Sequence, residues 1–212
     1  MKIILRMCVF IIAILQVSFG SELATRSLGG EYTCTYKETP EIMITKDKGG
    51  FGYVIMHPNK VEIVTIHGIV ETNHPLIREL INSQPFQRLK KINQYGVCEF
   101  IKKPLCVKYP SIGYTRYEHS LGTLVIIIRY SDQEGLKLLK RVICGLLHDM
   151  SHTPFSHSLD ILLRGGFLVD SYQDLTLISF IKRHGIVNIL THLTQQVLGL
   201  FDSLCRICNF HL

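Results

Sequence analysis

Residues Cys144–Asp160 read CGLLHDMSHTPFSHSLD. An apolar run ends in an adjacent imidazole and carboxylate, His148 and Asp149, and further imidazoles follow at His152 and His157. Neutral imidazole nitrogen with carboxylate oxygen suits Zn, Fe, Mn, Co or Ni, and a reactive site keeps coordination positions open for water and substrate. Successive helical residues diverge by about 100°. His148 and Asp149 can therefore converge on one ion only near a helix end, with further ligands supplied from another segment.

The segment best suited to supply them is Tyr114–Thr123, YTRYEHSLGT, about thirty residues upstream. Thr115 or a neighbour caps a helix there, and Arg116 and His119 stand at i and i+3 on one helical face. An isolated His-Asp pair is usually a structural accident. Three His and two Asp within one stretch, with Arg-x-x-His upstream, point to a metal site instead.

Together, R-x-x-H-S-L-G at 116–122 and G-L-x-H-D-x-x-H-x-x-F-S-H at 145–157 resemble the HD-domain phosphohydrolases. The likeness is to the branch that contains the deoxynucleoside triphosphate triphosphohydrolases and many bacterial relatives, and it runs from about Val64 to about Asp174. It implies a mostly α-helical HD bundle with a small β element near its N-terminus. It also implies one divalent transition metal (Mn, Fe, Zn, Co or Ni) held by His119, His148 and Asp149, whose chemistry is to lower the pKa of water for attack on phosphorus. By the same resemblance Arg116 faces substrate phosphate, for which a guanidinium offers a planar fork of donors. His152 and His157 would serve water activation or phosphate contact, and Gln94 would read a sugar hydroxyl near a nucleoside pocket.

Two features depart from that family. Its further His, on the helix after Ser171–Leu175 (SYQDL), has no counterpart in LTLISFIKRHGI before His184. Its distal Asp ligand falls in a segment whose nearest match here is Cys205–Phe210, CRICNF, with Cys where Asp is expected, and a thiolate could still bind zinc. The family's pocket-completing helices and triphosphate-holding Lys and Tyr would lie past Leu212, so the sequence reads as a truncated or trimmed relative.

Outside this centre the chain divides into three parts. Residues 1–20, MKIILRMCVFIIAILQVSFG, have basic residues Lys2 and Arg6, an apolar run and small residues at Ser18 and Gly20, the pattern of a cleavable secretory signal. Cleavage before Ser21 would lower the net charge from +6 to +4 and imply a secreted or extracytoplasmic location; without it the location is cytoplasmic. Residues 21–58 are polar and Gly-rich and read as a linker or weakly ordered extension, and 59–212 as the HD domain. Within the last, Val61–Val70 suits a strand or hairpin, and His74-Pro75 opens a helix from Leu76 to Ser83. Pro85 starts another, Leu136–Leu147 delivers His148, Phe155–Leu163 follows Pro154, and Leu175–Arg183 and Ile186–Leu198 are amphipathic.

With 47% hydrophobic residues the chain has enough for a core and is not disordered as a whole. Beyond the leader no apolar stretch is long enough to span a bilayer. Seven scattered cysteines do not make a disulfide scaffold. Lys90-Lys91 and Lys102-Lys103 could attract a phosphorylated ligand; the partner expected is a phosphorylated small molecule such as a nucleotide, with nucleic acid and self-association left open. Two functions are compatible with these residues: a metal-dependent phosphohydrolase acting on a nucleotide or other phosphate ester, with a dNTP as one candidate, and a catalytically inactive HD protein that binds metal, nucleotide or nucleic acid.

Overall fold

The computed structural model describes residues 24–38, 52–94, 96, 114–156 and 172–192. Five strands, β1 (Ala24–Gly29), β2 (Tyr32–Lys37), β3 (Gly52–Met56), β4 (Val61–Thr65) and β5 (Gly68–Thr72), make one antiparallel sheet in the order β1-β2-β5-β4-β3. Helices α1 (Pro75–Asn82), α2 (Gln84–Gln87), α3 (Arg116–Tyr130), α4 (Gly135–Leu147), α5 (Tyr172–Arg183) and α6 (Ile186–His192) follow.

The expected β element was small; the one found is a five-stranded sheet against which α3 and α4 pack, so the helical bundle is only part of the architecture. Three of its strands lie in the stretch read as a linker. The polar residues that suggested a linker are the outward side of strands: β1 and β2 alternate, with Leu28, Cys34 and Tyr36 buried and Thr25, Thr33 and Lys37 exposed. Gly29 and Gly30, both at positive φ, turn the β1–β2 hairpin. Arg26 then joins β1 to the α3–α4 junction: Nη2 donates to the Gln133 carbonyl at 2.6 Å and Nε to Glu134 at 2.7 Å.

The expected hairpin at Val61–Val70 is present as β4–β5, paired from Val61↔Thr72 to Thr65↔Gly68. Gly68 is at φ 136, and a Cβ there would stand 2.3 Å from the Tyr36 ring, so no other residue fits without displacing β2. The helix expected after His74-Pro75 starts at Pro75, with His74 as N-cap accepting from the Leu76 amide at 3.2 Å. Its buried face is Leu76, Ile77, Leu80 and Ile81. Pro at the first helical position costs no intrahelical bond.

Helix α3 lies against β3 and β4, and α4 against β1 and α3. Their buried residues, among them Leu121, Leu124, Val125 and Ile128 on α3 and Leu138, Val142, Ile143 and Leu146 on α4, recur at helical spacing. Gly145 permits the close crossing, since a Cβ there would come within 2.5 Å of Ile127 Cδ1. Cys144 is only partly buried. Among the described residues no helix is long and apolar enough to cross a membrane. The leader, His157, Asp160, Lys102-Lys103 and Cys205–Cys208 lie outside the described residues. So does most of the helix expected from Phe155 to Leu163; its first two residues, Phe155 and Ser156, belong to a turn.

Candidate metal centre

Helix α4 delivers the central pair at its end. His148 is the C-cap, its amide donating to the Cys144 carbonyl at 3.0 Å, and the chain then leaves the helix through turns closed by Met150 N–H to Leu147 (3.0 Å) and His152 N–H to Asp149 (3.2 Å). That departure lets adjacent residues face one point, as the sequence required. His148 Nδ1 lies 2.8 Å from the Gly145 carbonyl. A carbonyl only accepts, so Nδ1 carries the proton and Nε2 presents its lone pair to the site.

The second segment is fixed by a capping box at the start of α3. Thr115 Oγ1 accepts from the Glu118 amide at 3.3 Å, and Glu118 Oε2 accepts from the Thr115 amide at 2.7 Å. A bridge between Asn93 and Thr115 docks this N-terminus on residues 92–94, with Gln94 N–H to Tyr114 O and Arg116 N–H to Ile92 O both at 2.8 Å.

These elements bring His119, His148 and Asp149 together, with one donor atom from each lying within 4.8 Å of the others. His119 Nε2 and His148 Nε2 are 3.3 Å apart, His148 Nε2 and Asp149 Oδ1 3.4 Å, and His119 Nε2 and Asp149 Oδ2 3.7 Å. Bonds of about 2.0–2.2 Å to a tetrahedral or octahedral ion would put neighbouring donors roughly 3–3.5 Å apart. The residues therefore fit a first-row divalent ion. The two imidazoles are about a third exposed and the carboxylate is buried beneath them, so the opening is on the imidazole side.

Electrostatics prepare these donors. Burial pushes the His119 imidazole below its ordinary pKa, with His148 and Arg116 adding to the effect and Asp149 opposing it, so the ring is neutral and free to donate its lone pair. Burial alone would raise the Asp149 carboxyl; His148, Arg116, His152 and His119 around it outweigh that and hold it below the usual carboxylate range.

Arg116, expected to face substrate phosphate, lies in the interior of this structure. Its side chain is 1% exposed. Its donors go to Asp149 Oδ2 (Nη1, 2.7 Å), Ser156 Oγ (Nε, 3.0 Å) and the Gln94 carbonyl (Nη2, 3.3 Å). The buried Asp149 carboxylate engages the guanidinium. His152 is buried to the same degree, its Nε2 3.2 Å from Asp149 Oδ1, so it backs the carboxylate instead of lining the opening. Gln94 meets the site through its backbone carbonyl, while its side-chain Oε1 is buried with no hydrogen-bond partner among the described residues.

Three participants carried no sequence signal. Ser156 and the Gln94 carbonyl are generic groups whose role exists only through their contacts. His67, at the β4–β5 turn, packs its ring against Gly122 of α3, where a Cβ would meet it at 3.0 Å, and its charge would depress His119. Lys90, by contrast, stacks its ammonium 4.7 Å over the Tyr117 ring.

Residues 116–189 match the family model of the HD domain, and this part of the chain is an HD domain. Among its relatives, human deoxynucleoside triphosphate triphosphohydrolase SAMHD1 is 33% identical over 119 residues, half of this chain and 18% of that protein. An uncharacterized protein of Methanocaldococcus jannaschii is 40% identical over 83 residues, 39% of this chain and 17% of that protein. Uncharacterized protein YdhJ of Bacillus subtilis is 39% identical over 87 residues, 41% of this chain and 23% of its own. The chain thus spans less than a quarter of the length of each of these relatives.

Proposed function

We propose that the chain is a metal-dependent phosphohydrolase acting on a nucleotide or another phosphate ester, a dNTP being the first candidate. The observation that carries this reading is the convergence of His119, His148 and Asp149 at ion-binding separations inside a segment that matches the HD domain. Likeness to a deoxynucleoside triphosphate triphosphohydrolase over half of the chain supports the substrate class.

In this reading His119 and His148 bind the ion through Nε2, and Asp149 adds a negative oxygen that lowers the site's net charge. The ion when bound supplies Lewis-acid polarisation of a phosphoryl oxygen and a lowered pKa of water. Arg116 and His152 keep the Asp149 carboxylate charged and aimed. His157 and the side chain of Gln94 are proposed for phosphate and sugar contact respectively. His119 is neutral and open on one side, so substrate approaches past the two imidazoles.

The test is hydrolysis of a generic phosphate ester and of the four dNTPs with Mn²⁺ added, comparing the chain with His148→Ala and Asp149→Ala. Elemental analysis of the purified chain and of His119→Ala runs beside it. About one transition metal per chain, lost in the variant, and turnover that falls by at least about 100-fold in both others are expected. Equal rates in all three would remove the enzyme reading; metal binding without turnover of any ester would leave a binding protein in its place.

A further inference from the structure

Ser156 is the one non-glycine residue at positive φ among the described residues, at 49°. A side chain is disfavoured in that left-handed conformation, so it persists only where the surroundings fix it. Ser156 is also 2% exposed. Its hydroxyl has one proton to give and lone pairs to receive, and both capacities are used: Oγ donates to the Asn93 carbonyl at 2.9 Å and accepts from Arg116 Nε at 3.0 Å. The turn that carries it is closed by Ser156 N–H to Thr153 O at 2.9 Å. It lies on Gly96, where a Cβ would stand 2.5 Å from the Phe155 carbonyl.

The contacts form one line from loop to site. Ser156 holds the Nε edge of Arg116, the Gln94 carbonyl holds Nη2, and Nη1 is left pointing at Asp149 Oδ2. With Oδ2 engaged by Arg116 and 3.7 Å from His119 Nε2, Oδ1 is the atom that faces His148 Nε2 at 3.4 Å, with His152 Nε2 behind it at 3.2 Å. A guanidinium free to rotate about Nε could leave that oxygen, and the carboxylate would lose its aim.

We propose that Ser156 is a positioning residue of the metal centre: its hydroxyl locks the Arg116 guanidinium so that Arg116 in turn fixes which oxygen of Asp149 is presented to the ion. The inference rests on the metal-binding reading of the site. The left-handed backbone at Ser156 is the cost of bringing a hydroxyl to that edge, and it explains why a serine stands where glycine would be the easier residue.

The experiment measures Mn²⁺ affinity by the loss of the free-ion signal in electron paramagnetic resonance, with thermal unfolding of the same samples. The proteins are the full chain, Ser156→Ala, Ser156→Gly, Arg116→Met and the Ser156→Ala/Arg116→Met double variant. Loss of an outer-shell partner typically weakens metal affinity by about 10–100-fold, so both serine variants should bind Mn²⁺ at least about 10-fold more weakly. Glycine relieves the backbone and alanine does not, so the two should differ in melting temperature while sharing the affinity loss; glycine also keeps the test open should alanine fail to fold. In the Arg116→Met background, adding Ser156→Ala should change affinity by less than about two-fold, because the serine acts through the arginine. Wild-type affinity in Ser156→Gly, or an undiminished serine effect without Arg116, would overturn the proposal. No Mn²⁺ binding by the wild-type chain would instead refute the metal reading on which it rests.

Discussion

Arg116→Met should be among the most destabilising single changes in the chain, and its cost follows from the partners it abandons. The Arg116 and Asp149 side chains are 1% and 3% exposed and 2.7 Å apart. Unit charges about 3.5 Å apart in an effective dielectric near 20 attract by roughly 5 kcal/mol, most of which offsets the desolvation of both groups. Removal of one partner strands the other, and breaking a buried pair in this way costs about 3–5 kcal/mol. Methionine keeps much of the volume, so little of the loss should come from a cavity. Urea unfolding with a chelator present would measure it, run as a cycle with Asp149→Asn. The pair should be strongly coupled, with the double variant recovering about 2 kcal/mol or more relative to the sum of the singles. A cost below about 1 kcal/mol for Arg116→Met, or simple additivity, would show that the guanidinium is not what holds Asp149.

Other parts of the fold make separate predictions. His74 is held neutral by burial, its pKa lowered from 6.5 to about 4. Between those values the unfolded chain binds the proton and the folded chain does not, so its contribution to stability is present above about 6.5 and is lost as pH falls toward 4. Wild type should therefore lose on the order of 2 kcal/mol more than His74→Asn, which caps without titrating, on going from about pH 7.5 to about pH 4.5; parallel urea midpoints would contradict this. Gly96→Ala sets a Cβ 2.5 Å from the Phe155 carbonyl at a φ of 54, and should cost about 2–4 kcal/mol by the same unfolding measurement. Thr115→Ala removes half of the capping box and should cost about 1 kcal/mol, with a weaker Mn²⁺ affinity because His119 sits in the first turn of that helix. Cys34, buried and raised to about 12, should resist alkylation, read by peptide mass spectrometry, until the chain is unfolded.

Much of the helical half was legible because its signals are local. Thr115 with Glu118 three residues on, the apolar spacing of Leu138, Val142, Ile143 and Leu146, and His74 before Pro75 each state a helix boundary or face within a few residues. The linker reading failed for the opposite reason. Besides its hairpin partner β1, β2 pairs with Ile69, Val70, Glu71 and Thr72 of β5, more than thirty residues away, and a short, half-polar hairpin such as β1–β2 shows its state only once that distant neighbour is in place.

The same division runs through the site. His148 and Asp149 could be chosen from the sequence alone, because the residue types dictate the donors and a helix end is the place where two adjacent side chains can converge, and His119 from the likeness of residues 116–122 to the HD-domain pattern. Which way Arg116 points was a tertiary decision. In sequence it is a cation one turn before a metal-binding histidine, free to face a phosphate. In the folded chain Asp149, Ser156 and the Gln94 carbonyl surround it in the interior, where an unpaired charge is too costly to leave, and the guanidinium turns inward to hold the carboxylate.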